Sequence, residues 1–444
     1  MSRLLSWICN VGYLAVLLVA APVLIYRSIT QGKYRDGWSE KLWGNVPVRD
    51  GSQPAVWFHA VSVGEVLQLQ QVVKLFHEER PEHEVIVSCT TSTGRVVAEE
   101  KFPDCLVCYF PLDFTWAVRN AIKRLRPQLM VLVELELWPN FILEAERTKV
   151  PLALINGRIS ENSFRGYCKL RPLMQRLLTV FSTMAVQSPM YGERLKKLGG
   201  PAERIQVTGS IKFDGIQTDR KNSQTAEIRE AFGIQPSAYV FIAGSTQDPE
   251  EKLALDSYRK LKPRYPELRL ILVPRHKERF EEVASLVQSE SFPLCRRSIV
   301  QQSGITERTS TDDDPVLLLD TLGELNACWG LADFAFVGGS LTNRGGQNMI
   351  EPAAYAAVVT FGPNTRNFKD VVDLILAESV AEVVEDQPKL QERLEFYLEH
   401  PDQGRALGER ARELVMSQQG ATRKTIDLLL ELLPLKEKGT AEAA

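Results

Sequence analysis

Glu65 closes the segment Trp57-Phe58-His59-Ala60-Val61-Ser62-Val63-Gly64-Glu65. There an apolar, β-rich run stops at a small glycine-containing turn, and a carboxylate opens the amphipathic stretch 66–73. In a parallel α/β sheet such a turn lies at the carboxyl end of a strand, where ligands and chemistry gather. Glu65 is therefore a candidate general base. A Glu in a helix first turn is also favoured by the macrodipole, so the segment alone leaves both readings open.

A second set of candidates lies in the C-terminal half. Phe336-Val337-Gly338-Gly339-Ser340 is a strand ending in a glycine turn, followed by Asn343-Arg344-Gly345-Gly346-Gln347-Asn348 and Met349-Ile350-Glu351-Pro352. Glycines 345 and 346 allow close approach to a phosphate, and the following helix start offers free N–H groups. Glu351 suits the two hydroxyls of a ribose, and Pro352 a first helical turn. Ser245 and Thr246 follow another apolar run, and Arg275 and His276 a third. The Arg275 fork suits a phosphate, with His276 as a second polar contact. Three such turns predict a nucleotide-phosphate site. In the N-terminal half, Glu134 and Glu136 close the run 129–132 and require a cationic or hydroxyl-rich ligand, or a buried Arg or Lys partner. Asn156-Gly157-Arg158 ends the next run. Lys212, in Gly209-Ser210-Ile211-Lys212-Phe213-Asp214, either enters a cleft or stays solvated. HExxH, P-loop and GxSxG patterns are absent, so metal-independent chemistry without a cofactor is the simpler expectation.

The elements that position these residues alternate. Strands are expected at 55–59, 85–88, 106–110, 129–132, 152–155 and 184–186, with helical patterns at 66–79, 94–101 and 114–125. A polar stretch, 212–237, interrupts the series. Strands then resume at 239–243, 268–273, 316–319, 334–337 and 358–361, and 387–433 reads as helical. Such alternation predicts parallel sheets covered by helices, and 444 residues exceed what one core usually holds. The expected divisions are a membrane anchor at 1–27, an N-terminal Rossmann-like domain at 28–211, a C-terminal Rossmann-like domain at 212–434 and a disordered tail at 435–444. Two successive Rossmann-like, doubly wound domains facing a cleft are the GT-B architecture of glycosyltransferases.

A net charge of −3 argues against a nucleic-acid partner. Seven scattered cysteines fit a reducing compartment, and Cys105-Leu106-Val107-Cys108 reads as part of a buried strand. Residues 4–26 carry no charge and are bracketed by Arg3 and Arg27; twenty-three residues can cross a hydrocarbon core of about 30 Å. Arg27, Lys33, Arg35 and Lys41 place the downstream side in the cytoplasm. A cleaved signal peptide would have a shorter apolar region and a small-residue cleavage site. The segment is read as a single-span or deeply embedded anchor.

Taken together the chain resembles the Kdo transferase family, the 3-deoxy-D-manno-oct-2-ulosonic acid transferases of lipopolysaccharide assembly. The resemblance runs from Lys33-Tyr34-Arg35 to Asn367-Phe368-Lys369. It rests on HAVSVGE at 59–65, ELELWPN at 134–140, NGRIS at 156–160, GSIKFD at 209–214, AGST at 243–246, VPRH at 273–276, DTLGEL at 320–325, FVGGSL at 336–341, GGQNMIEP at 345–352 and FGPNTRNF at 361–368. It implies inverting, metal-independent transfer of Kdo from CMP-Kdo to a lipid A precursor at the inner leaflet of a bacterial inner membrane, with the catalytic domains on the cytoplasmic side. Glu65 would be the base. Arg275 with the Gly345 and Gly346 amides would hold the phosphate, Glu351 the ribose, and Asn348 would support that loop. Lys212 and Glu136 would line the cleft. Gln247 and Gln347 stand where the family usually has histidines, which removes titratability at both positions. A related enzyme using another nucleotide sugar and a non-catalytic membrane-bound binding protein are the alternatives.

Overall fold

Apolar runs rich in Val, Ile, Leu and Phe become strands buried on both faces, as parallel strands must be. A computed structural model describes residues 2–31, 36–303 and 314–434. Lys33 and Arg35, and the tail expected at 435–444, lie outside the described residues. The chain divides into two units, 1–214 with 418–444, and 215–417.

The first unit holds a seven-stranded parallel sheet: β1 (Ala55–Ala60), β2 (Glu84–Cys89), β3 (Leu106–Tyr109), β4 (Leu129–Val133), β5 (Leu152–Gly157), β6 (Thr183–Val186) and β7 (Ile205–Val207). Its order is β3-β2-β1-β4-β5-β6-β7. The chain moves outward from β1 on one side, then returns to lay β4 on the other. The gap between β1 and β4 is thus a topological switch point, where carboxyl-end turns splay apart. One face packs Trp57, Met130, Leu132 and Phe141 together. On the other, Val56, Phe58, Val85 and Val87 meet Val66, Leu69, Val72 and Phe76 of the helix Val63–Glu79. Those four helix positions have the three- and four-residue spacing of one apolar stripe.

The second unit repeats the plan with β8 (Tyr239–Thr246), β9 (Leu268–Pro274), β10 (Leu294–Arg296), β11 (Val316–Leu318), β12 (Phe334–Val337), β13 (Val358–Phe361) and β14 (Ala381–Val383). The order β10-β11-β9-β8-β12-β13-β14 puts its switch point between β8 and β12. β7, β10 and β14, three residues each, were not expected from the sequence. The polar stretch 212–237 contains the helix Ser223–Ala231.

The C-terminal boundary differs from the expectation. Residues 387–417 cover the second sheet, but the helix Ala421–Leu430 belongs to the first unit. Its Ala421, Ile426 and Leu429 are buried in the same cluster as Val66 and Phe76. Asp214 fixes this return by accepting the N–H groups of Gly420 (2.6 Å) and Thr422. Asp214→Ala removes both acceptors at the helix start, and the expected loss of stability is about 1–2 kcal/mol. Thermal unfolding measures it, and limited proteolysis will show 418–434 released first; an unchanged midpoint and digestion pattern would dismiss Asp214 as the clasp.

Candidate active site

Glu65 begins the helix that follows β1. Ser62 is its N-cap in extended backbone conformation, and the Ser62 hydroxyl accepts the Glu65 N–H at 3.4 Å. The Glu65 carboxylate reaches back to accept the Val61 N–H at 2.8 Å and the Ser62 hydroxyl at 2.9 Å. Ser62 thus caps the helix, and the Glu65 carboxylate answers the amide just ahead of the cap, so the residue also serves the helix start. Two bonds leave lone pairs on both oxygens for a further donor. Burial is the largest influence and raises its pKa above the usual carboxylate range. The Glu134 charge adds to the rise, while the Val61 and Ser62 bonds and Arg158 oppose it.

β4 lies beside β1, so the acidic turn after it arrives at the same edge. Glu134 adopts a left-handed conformation (φ 57°) and accepts a bond from Arg158 Nε at 2.8 Å. Arg158 is the cationic partner the acidic turn called for. Glu136 is pushed up to about 7, first by burial and then by the charges of Glu65 and Glu134. Asn156, at the end of β5, is buried with φ 51°. Its Nδ2 donates to Gln68 Oε1 at 2.8 Å, and its Oδ1 accepts the Ile211 N–H at 3.3 Å. That link fixes the turn bearing Lys212. The structure therefore joins Glu65, Glu134, Glu136 and Arg158 electrostatically and ties the Lys212 turn to the same helix. His59, in the same motif, is a core residue: it stacks on Phe110 at 3.6 Å, and burial pulls its pKa down to about 3.

In the second unit a residue absent from the sequence-based set holds the site. Glu250 is fully buried, and its carboxylate accepts four backbone N–H groups: Gln247 (2.9 Å), Gly339 (2.7 Å), Ser340 (3.0 Å) and Leu341 (2.9 Å). It thus clamps the glycine turn after β12 to the turn after β8. A Cβ on Gly338 would come within 2.8 Å of the same carboxylate and 2.6 Å of Thr246 Cα, which accounts for glycine there. The logic that singled out Glu65, an acid opening a helix after a strand, applies equally to Glu250 in Ser245-Thr246-Gln247-Asp248-Pro249-Glu250.

Other expected ligand contacts resolve differently. The Gly346 N–H donates to the Gly339 carbonyl at 2.8 Å, so this amide shapes the loop rather than facing a phosphate. Thr246 is fully buried and its hydroxyl donates to the Val273 carbonyl at 3.4 Å, a contact inside the sheet. Ser245, also buried, is left-handed (φ 55°) where the β8–β9 register shifts. Arg275 is anchored by its own N–H to the Thr246 carbonyl at 3.1 Å, and the Arg275 and His276 residues are exposed. Asn348 Nδ2 donates to Glu351 Oε1 at 3.0 Å, and Asn348 Oδ1 accepts the Ile350 N–H at 3.1 Å. Burial chiefly raises the Glu351 pKa; the Asn348 bond and the Arg275 charge counter it. Arg275, Asn348 and Glu351 are thus one neighbourhood. Asp320 and Glu324, in DTLGEL, bind Arg296 and Arg297 and serve the fold.

Residues 36–215 match the family described as 3-deoxy-D-manno-octulosonic-acid transferase (kdotransferase). A 3-deoxy-D-manno-octulosonic acid transferase of Haemophilus influenzae is 32% identical over 94% of this chain and 97% of its own length. One from Bordetella pertussis is 33% identical over 85% of this chain and 87% of its own. Among solved structures, the UDP-GlcNAc 2-epimerase of Neisseria meningitidis covers 85% of this chain and all of its own at a TM-score of 0.57, with 12% identity, a likeness of fold alone.

Glu250→Ala leaves four buried N–H groups without an acceptor, and the expected loss is roughly 3 kcal/mol or more. Glu250→Gln keeps one acceptor oxygen and recovers part of it. Denaturant unfolding of both variants checks this; equal stability of Glu250→Ala and the parent would remove the clamp from the account.

Proposed function

The chain belongs to the 3-deoxy-D-manno-octulosonic acid (Kdo) transferase family, and on that premise we propose that it moves Kdo from CMP-Kdo to a lipid A precursor with inversion. It is a glycosyltransferase. The observation that carries the mechanistic part is Glu65, a carboxylate fixed by two hydrogen bonds and held above the usual pKa range by burial. A base whose pKa approaches the working pH retains proton affinity when it is needed.

In the displacement, the acceptor hydroxyl oxygen forms a bond to the anomeric carbon of Kdo while the bond from that carbon to the CMP phosphate oxygen breaks. The hydroxyl proton passes to Glu65, and the electron pair of the broken bond leaves on CMP. Arg275 and the Gly345 amide take the charge that develops on the phosphate, the kind of preorganised stabilisation that dominates many transfer reactions. Gly346 shapes that loop, and Glu250 positions the glycine turn beside it. Glu351, oriented by Asn348, receives the ribose hydroxyls. Lys212 pairs with a substrate carboxylate or phosphate, and Glu136 stands beside Glu65 on the acceptor side. His276 adds a polar contact beside Arg275, and Ser245 contributes turn geometry rather than a hydroxyl. The reaction is placed at the cytoplasmic face of the bacterial inner membrane, where a lipid acceptor and a soluble sugar nucleotide meet.

Transfer of labelled Kdo from CMP-Kdo to a tetraacylated lipid A precursor, in detergent with EDTA, tests the reading. Glu65→Gln is expected to lose at least about 100-fold in kcat. Equal rates in variant and parent would take Glu65 out of the mechanism. The pH profile supplies a second check. Glu65 must be ionised, so activity rises with pH along an acid limb set by its raised pKa. Arg158→Gln removes a cation that favours the carboxylate, so the limb moves to higher pH; a limb that stays put or moves lower would separate Arg158 from the base.

A further inference from the structure

The apolar N-terminal helix, Ser2–Gln31, is joined to the first unit through polar side chains in its own middle. Asn10 Nδ2 donates to Thr115 Oγ1 at 2.9 Å, while Asn10 Oδ1 accepts the Thr115 N–H and Asn140 Nδ2, each at 3.1 Å. Tyr13 donates its hydroxyl to Asp113 Oδ2 at 3.0 Å and sets its ring edge-on to Phe114 at 6.1 Å. Leu5 packs on the core cluster of the sheet face that holds Phe141. Asp113 is no casual partner: its carboxylate also accepts the N–H groups of Asn140 (2.9 Å) and Phe141 (2.8 Å) at the start of the helix Pro139–Thr148.

These contacts conflict with a helix that crosses the bilayer. The sixteen residues from Asn10 to Tyr26 rise about 24 Å, most of a hydrocarbon core of about 30 Å. If the chain left the membrane at Tyr26 and the enzyme lay on that side, Asn10 would sit near the far interface. Asp113 and Thr115 would have to follow it there, and Arg119, one turn beyond Thr115, would be dragged into hydrocarbon. Burying such groups in lipid costs several kcal/mol each.

The rest of the helix surface shows what does cover it. The stretch Leu4–Val23 has a mean hydropathy of 2.1. Trp7, Ile8, Val11, Leu14, Leu18 and Val23 are exposed on it. Three more tryptophans are exposed: Trp116, next to Thr115, and Trp38 and Trp43 at the two ends of a short helix that packs on Thr115–Leu125. Trp116 Nε1 donates to the Leu42 carbonyl at 2.9 Å, and Asn120 Nδ2 to the Trp43 carbonyl at 2.8 Å, which gathers them at the start of the helix Thr115–Leu125. Four of the chain's seven tryptophans are thus exposed around one apolar helix. Indole rings of this kind favour the headgroup level of a lipid surface.

We propose that the N-terminal helix does not cross the bilayer: it lies along one leaflet, latched to the enzyme through Asn10 and Tyr13, with its outer apolar face and the tryptophans 7, 38, 43 and 116 in lipid. Both ends of the chain are then on one side of the membrane. This holds whichever sugar is transferred and whichever side the enzyme occupies.

The test uses the full chain with one epitope fused ahead of Met1 and another after Ala444, expressed in a Gram-negative host. Protease is added to spheroplasts and to inverted membrane vesicles. Both epitopes are expected to be cut in the same preparation, with the chain sedimenting with membranes after a high-salt wash. Cleavage of the two in opposite preparations would establish a crossing helix and overturn the proposal, as would full release of the chain by salt. Asn10→Leu with Tyr13→Phe removes the latch, and part of the N-terminal epitope is then expected on the opposite side; no change would overturn the role given to these two residues.

Discussion

Carboxylates that accept backbone N–H groups at strand ends and helix starts are what the turns of this molecule depend on. Parallel strands finish at one edge, and the turns that leave them have amides without ladder partners, which burial makes costly. Glu65 answers the Val61 amide, Glu250 four amides of two turns, Asp113 two at the start of Pro139–Thr148, and Asp214 two at the start of Ala421–Leu430. Asp333 does the same for Val240 as it enters β8, at 2.9 Å. Glu65, Glu250 and Asp113 are buried, so these three side chains cannot move without leaving charge and amides unpaired in an apolar interior.

This explains why one residue can serve both fold and chemistry. The bonds to Val61 and Ser62 that tie Glu65 into the helix start also remove its rotamer freedom and keep it out of water. A free surface Glu would have neither the position nor the proton affinity required of a base. The same neighbourhood contains its moderators: Glu134 makes additional negative charge unfavourable, and Arg158 keeps the total in check.

The sequence was legible where an apolar run was long and closed by a turn. The strands flanking both switch points were anticipated to within a few residues, because four to eight buried residues in a row leave little choice. β7, β10 and β14 are three residues each and depend on a neighbouring strand rather than on their own pattern. The return of Ala421–Leu430 to the first sheet could not be read locally, since the decisive partner, Asp214, lies two hundred residues earlier. Within the site, motif position singles out Glu65, Glu136, Asn348 and Glu351, which lie in strand-end turns or in the first turns of the helices that follow them. It could not say which amides and hydroxyls were already bonded, so Gly346 and Thr246 were assigned to a ligand that their atoms do not face. Glu250 has no local mark of its role, because three of its four amide donors lie about ninety residues later in the chain.

The closing of the first sheet's core by residues 418–434 orders events during synthesis. The second unit is a continuous stretch, 215–417, and holds all seven of its strands before the ribosome reaches the helix that completes the first. Until then the stripe of Val66, Val72 and Phe76 lacks Ile426 and Leu429. Domains fold as units as they emerge. The part made last therefore matures the part made first, and a chain truncated before Gly420 would carry an intact second sheet on a first sheet whose hydrophobic flank stays open to chaperones and proteases.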